Sequence, residues 1–99
     1  MASRLKLHEQ LTKIAEAYYQ PPSSIHMQYP CFVYHLAKEK SDYADNIMYR
    51  GFIRYTVTYI TLRIHDEIIR EMHKKFKYCS FDREYTVDGL HHYSFDLFY

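Results

Sequence analysis

The sequence predicts an α+β domain: two helices packed on one face of a four-stranded, largely antiparallel sheet, in the order α-β-β-α-β-β. Three observations predict it. Apolar residues recur at helical spacing twice, at Leu7, Leu11, Ile14 and Tyr18 and again at Ile69, Met72 and Phe76. They alternate with period two over residues 48–62 and again near the C-terminal end. Asp88-Gly89, flanked by such alternation, is a strong hairpin signal. The 99 residues suffice for one two-layer core and not for two, so 1–99 reads as a single domain.

The first helix is expected over residues 4–19, with Ser3 as its cap and Pro21-Pro22 as its stop. Glu9 and Glu16 on its polar side argue for core packing over a membrane-surface anchor. "YPCFVYHLA", residues 29–37, is apolar on both parities and reads as a strand covered on both faces. The charged segment 38–47 reads as a loop, too polar to fold on its own and longer than a tight hairpin needs. In the next strand Tyr49, Ile53, Tyr55, Val57 and Tyr59 share one face, and Arg50, Arg54, Thr56 and Thr58 the other. One side of this strand meets the core, and the other meets water or a partner.

The second helix is expected over 66–76, with Asp66 and Glu67 in its first turn and Lys74 and Lys75 in its last, as the helix dipole favours. The last two strands raise a problem of register. The apolar set of one is Cys79, Phe81, Tyr85 and Val87; that of the other is Tyr93, Phe95, Leu97 and Tyr99. A two-residue turn at Asp88-Gly89 pairs odd with even positions and would place these sets on opposite faces. An odd-length loop, or a bulge, would reunite them, for instance opposing Phe81 to Leu97 and Tyr85 to Tyr93, and the loop is therefore expected to include Leu90 or more. The expected core is Leu11, Ile14, Val33, Val57, Ile69, Phe81 and Phe95.

Composition narrows the function. A formal net charge of +1 indicates no strong attraction to nucleic acid or to an anionic membrane. No apolar run reaches the length of a transmembrane helix, and the charged first twenty residues do not suit a signal peptide. Cys31 and Cys79 form no disulfide framework and read as small buried hydrophobes. Twelve Tyr and no Trp suit half-buried faces and interfaces, because a phenol packs like a hydrophobe yet needs a partner for its hydroxyl. The seven His have no metal-ligand spacing, and two Gly leave no phosphate-cradling loop. "HHYSFD" does not set out a nucleophile and base, and Asp82, Glu84 and Asp96 read as solvated strand positions. No cofactor, metal or catalytic residue is expected, and the domain reads as non-enzymatic.

"YPCFVY", then "YADN" before an aromatic-basic strand, then "FKYCSFDREYTVDGLHHYSFDLFY" resemble the small tail-completion proteins of long-tailed bacteriophages and phage-like particles. These are minor capsid or neck proteins similar in layout to tail terminators. The resemblance runs from about residue 28 to 99. Its most specific part is Phe81-Asp82-Arg83, then Tyr85, Asp88, Leu90, His92, Tyr93 and the aromatic finish. Gly89 departs from it, standing where similar chains carry Asn.

The resemblance implies a structural protein of the virion neck, assembled in the bacterial host cytoplasm. It would form a six-fold ring on the head-proximal end of the tail tube, stop tube growth, and meet a head-side connector or stopper protein. Arg50, Arg54, Thr56 and Thr58 are then the candidate partner or lumen face, with at most weak contact to passing DNA. Asp42, Asp45, Arg83, His92 and Tyr99 are the candidate interface. Two alternatives remain open: a head-side stopper or adaptor of the neck, and a small RNA-binding or ribonuclease-toxin domain.

Overall fold

A computed structural model describes residues 4–22, 24–37, 48–49 and 52–99, the short segment 48–49 by its backbone. Helix α1 (Arg4–Thr12) buries Leu7 and Leu11, one turn apart on its inner side. It ends sooner than its periodicity suggests. The Ala15 amide closes a last turn on the Leu11 carbonyl at 3.1 Å, and Glu16–Tyr19 then form a strand, β1, parallel to β2 (Cys31–Leu36). The correction has a clear cause. Ala15-Glu16-Ala17 is helical by propensity, but Tyr18 and Tyr19 gain more as sheet residues beside Val33 and Tyr34.

β3 (Met48–Tyr49) pairs antiparallel with the start of β4 (Phe52–Thr61), the long strand on which the sheet is built. Helix α2 (Glu67–Lys75) follows, then β5 (Cys79–Val87) and β6 (Leu90–Phe98). The sheet order is β1-β2-β4-β6-β5, with β3 beside the start of β4. The α+β class is as expected, but the sheet is mixed and has five main strands where four were expected. The chain crosses from β4 through α2 to β5 and then inserts β6 between the two, antiparallel to both. Tyr99 is paired too, exchanging both backbone bonds with Ile53 at 3.1 Å.

Both helices contribute to the core on one face of the sheet. Leu7, Leu11, Ile68 and Met72 meet Phe32 and Tyr34 of β2, Tyr55, Val57 and Tyr59 of β4, and Tyr93, Phe95 and Leu97 of β6. Of the expected core, Leu11, Val57 and Phe95 are buried, while Ile14, Ile69 and Phe81 are partly buried against it. Val33 lies on the other face, opposite Thr58 and half-exposed, so the strand at 29–37 is fully covered on one side only. On α2 and at its C-cap Met72 and Phe76 are buried as expected, while Ile68 takes the place of Ile69, which is only partly buried.

The hairpin has a two-residue turn, so Leu90 begins β6 and, contrary to expectation, is not part of the loop. Asp88 and Gly89 both have positive φ, 53° and 77°, and Val87 pairs directly with Leu90. A bulge resolves the register: Phe81 opposes Phe95, Arg83 opposes Ser94, and Asp82 between them has no partner. Parity therefore switches at Asp82. Phe81 faces the core, whereas Tyr85 and Val87 face the open side, opposite His92 and Leu90 and not Tyr93.

Candidate functional site

The face of the sheet away from the helices is the surface on which the expected site residues can be judged. Its rows follow from the register: His35, Thr56, Asp96 and Ser80 in one; Val33, Thr58, Ser94 and Arg83 in the next; Cys31, Ile60, His92 and Tyr85 in a third. Short polar side chains dominate the middle because a hydroxyl on an open sheet face is satisfied by water at little cost.

Arg54, Thr56 and Thr58 lie on this face as expected, each half-exposed. Arg54 is not a bare cation, because its guanidinium donates to Asp96 Oδ1 at 3.3 Å from the neighbouring strand. That pairing cancels the charge a phosphate would meet. At the β5 side of the face three side chains form a ladder. The Arg83 guanidinium is 5.5 Å from the Tyr85 ring centre, and that ring stacks on His92 at 4.8 Å and 16°. His92 Nδ1–H donates to the Leu90 carbonyl at 3.0 Å, which fixes the ring's orientation.

The structure thus brings Arg83 and His92 together. It separates Tyr99 from them: that ring packs at 6.0 Å against Phe76 on the helix side. Arg50, Asp42, Asp45 and the charged segment 38–47 lie outside the described residues, as does the Ser3 cap.

One constellation has the outline of a catalytic relay. The Tyr59 hydroxyl donates to His65 Nδ1 at 3.2 Å, and His65 Nε2–H donates to Glu71 Oε2 at 3.1 Å. The Tyr93 hydroxyl accepts from the His65 amide at 3.0 Å and donates to Asp66 Oδ1 at 2.9 Å. The relay is invisible in the sequence, since its members sit on a strand, a loop and a helix; His65-Asp66 at a helix start is its one local sign. Its chemistry is structural. Tyr59 is 3% exposed, and burial, with Glu71 nearby, raises its pKa above the ordinary phenol value. An activated nucleophile needs the opposite shift and an accessible oxygen. Both His65 nitrogens are occupied. The network instead clasps the start of α2 to β4 and β6, and Asp66 places a carboxylate at the helix N-terminus while bonding Tyr93 instead of capping the helix.

Among the described residues no three His, Cys, Asp or Glu side chains converge as metal ligands, and no helix is long and apolar enough to cross a membrane. Beside the clasp a depression of about 480 Å³ is lined by Tyr29, Pro30, Leu62 and Ile64. Leu62 and Ile64 are 65% and 68% exposed, an apolar rim at the end of the sheet that also carries the Asp88-Gly89 turn. No family model, curated protein or solved structure matches the chain.

Proposed function

We propose that this chain is a structural neck protein of a long-tailed phage or phage-like particle. In this reading six copies form a ring that caps the head-proximal end of the tail tube, ends its growth and joins the head-side connector. The observation that carries the reading is where the most specific part of the resemblance falls. Phe81-Asp82-Arg83, Tyr85, Asp88, Leu90, His92 and Tyr93 all lie on the β5–β6 hairpin. In that segment Phe81 and Tyr93 supply core, Asp82 makes the bulge, and Arg83, Tyr85 and His92 form the surface ladder.

The distribution of surfaces supports the same reading. A ring subunit between tube and connector needs an upper contact, a lower contact and two lateral ones. The domain offers an apolar rim at one end of its strands, an aromatic-basic end at Phe52, Lys77 and Tyr78, and two sheet edges. The Thr56–Thr58 face suits a lumen that DNA must pass without adhering, since Arg54 is already matched by Asp96. That match also weighs against the RNA-binding reading, which requires uncompensated cations along a groove.

The test is genetic and visual. Deleting the gene is expected to leave tails that are uncapped, variable in length or unable to join heads, and imaging of intact particles is expected to place six copies at the tube's head-proximal end. Uniform, correctly joined tails in the deletion strain overturn the proposal. Copies found on the head side of the joint replace it with the stopper reading.

A further inference from the structure

Among the described residues the sheet ends in two strands with one neighbour each, β1 beside β2 and β5 beside β6. Their directions are opposed. β1 runs with β2, β2 against β4, β4 against β6, and β6 against β5. A second copy related by rotation about an axis along the strands keeps its strand directions. Its β1 therefore runs antiparallel to the first copy's β5, and the same step repeated is a head-to-tail contact that can close.

The rows across the sheet specify the register. Glu16 lies in a row with Cys31, Ile60, His92 and Tyr85; Ala17 with Phe32, Tyr59, Tyr93 and Glu84; Tyr18 with Val33, Thr58, Ser94 and Arg83. With no shift along the strands, joining one copy's β5 to the next copy's β1 sets Tyr85 beside Glu16, Glu84 beside Ala17 and Arg83 beside Tyr18. Outer face then meets outer face. Charges match as well. The Arg83 guanidinium, 73% exposed, 3.8 Å from Asp82 and 5.5 Å from the Tyr85 ring centre within its own chain, comes between Glu16 and the Tyr18 ring. On the helix side, exposed Glu84 faces the region where Arg4 lies over the Tyr19 ring at 4.3 Å. The Asp82 bulge ends regular pairing on one side, which leaves Arg83–Val87 as an edge close in length to Glu16–Tyr19. A β5–β5 contact would instead join two edges in which Asp82, Glu84 and Asp88 outnumber Arg83.

We infer that the lateral contact of the ring is strand addition, with the β5 edge at Arg83–Tyr85 pairing antiparallel with the β1 edge at Glu16–Tyr18 of the next copy; this rests on the ring reading above. A sheet continued in this way has its helices on the outside, where the perimeter is longer, and its Arg54–Thr56–Thr58 face toward the axis. The bulge and the charges at 82–84 keep the same edge from pairing indiscriminately in the free subunit. So short an edge is weak alone and becomes effective when copies are held side by side on the tube end.

The experiment complements the deletion strain with a Tyr18→Cys/Arg83→Cys variant in a Cys79→Ala background, treats purified particles with a mild thiol oxidant and examines them on non-reducing gels. A ladder of disulfide-linked species up to six copies is expected, and either single cysteine alone is expected to give none. In parallel, Glu16→Arg and Arg83→Glu are each expected to lower the yield of joined particles at least tenfold, and the double exchange to restore it. Particles that contain the protein but show no ladder, or an exchange that fails to restore yield, overturn the edge assignment while leaving the ring reading intact. Wild-type protein absent from particles overturns the ring reading itself. A disulfide-linked dimer from Arg83→Cys alone replaces the inference with a two-fold β5–β5 contact.

Discussion

Tyr93 shows how a single residue couples packing to polarity. Its ring is fully buried, yet its hydroxyl accepts from His65 N–H and donates to Asp66. Burial is the main cause that pushes its pKa up to about 12, partly offset by the His65 amide and reinforced by Asp66. Burial also pushes Cys79 up to about 12, with Asp96 adding, and Cys31 to about 11, with Glu16 adding. In each case the fold favours the neutral form, so the unfolded chain releases its proton first, from ordinary values of 9.0 for the thiols and 10.0 for the phenol. Their contribution to stability is complete below about pH 9 and is lost as pH rises toward about 12. Denaturation series across pH 8–11 are expected to show this decline, and Tyr93→Phe to flatten it above pH 10. At neutral pH the same substitution leaves the His65 amide and the Asp66 carboxylate without the phenol, at a cost of about 1–3 kcal/mol. The Phe81–Phe95 pair, 5.5 Å apart, separates burial from contact. Phe95→Ala, at a fully buried site, is expected to cost about 3–5 kcal/mol in urea unfolding. Phe81→Ala, at a half-buried site, is expected to cost less than half of that.

At the level of elements, the β5–β6 hairpin joins two local devices that solve one problem. The turn needs positive φ at both central residues to match strand twist, and Gly89 supplies one of them without strain. That tight turn alone would drive the apolar sets of the two strands to opposite faces. The bulge at Asp82 brings Phe81 and Cys79 back to the core and releases Tyr85 to the surface. Space is open around a side chain at 89, so only the backbone angle resists substitution. Gly89→Asn, a residue that tolerates left-handed geometry, is therefore expected to cost under about 1 kcal/mol, and Gly89→Val about 1–3 kcal/mol, by thermal or urea unfolding.

Over the whole molecule, protection follows sheet order and not chain order. β4 and β6 each have strands on both sides, whereas β1 and β5 close the sheet. β6 is the last strand of the chain, yet it sits inside the sheet with Tyr99 still bonded to Ile53. Hydrogen exchange on the free protein is expected to be slowest in β4 and β6 and faster by at least tenfold in β1 and in β5 beyond Asp82. In assembled particles the same two edges are expected to gain protection together, since one copy's edge covers the other's.

The sequence alone determined the class of the fold, the second helix, the alternation of β4 and the place of the hairpin turn, though not its two-residue length. Each of these is a local property: period, dipole-matched charge and turn chemistry act between residues close in the chain. The resemblance also singled out the hairpin whose Arg83 and His92 the fold then joins through Tyr85. What the tertiary structure decided is everything that depends on a distant strand. Residues 16–19 continue a helical period in the sequence and become β1 because β2 offers them a partner. Val33 and Phe81 take their faces and burial from neighbours in the sheet, and the Tyr59–His65–Glu71 relay exists only after α2 docks on β4. Pairing between distant segments leaves no period in the chain, so only the folded sheet reveals which strands have a single neighbour among the described residues and which rows they continue.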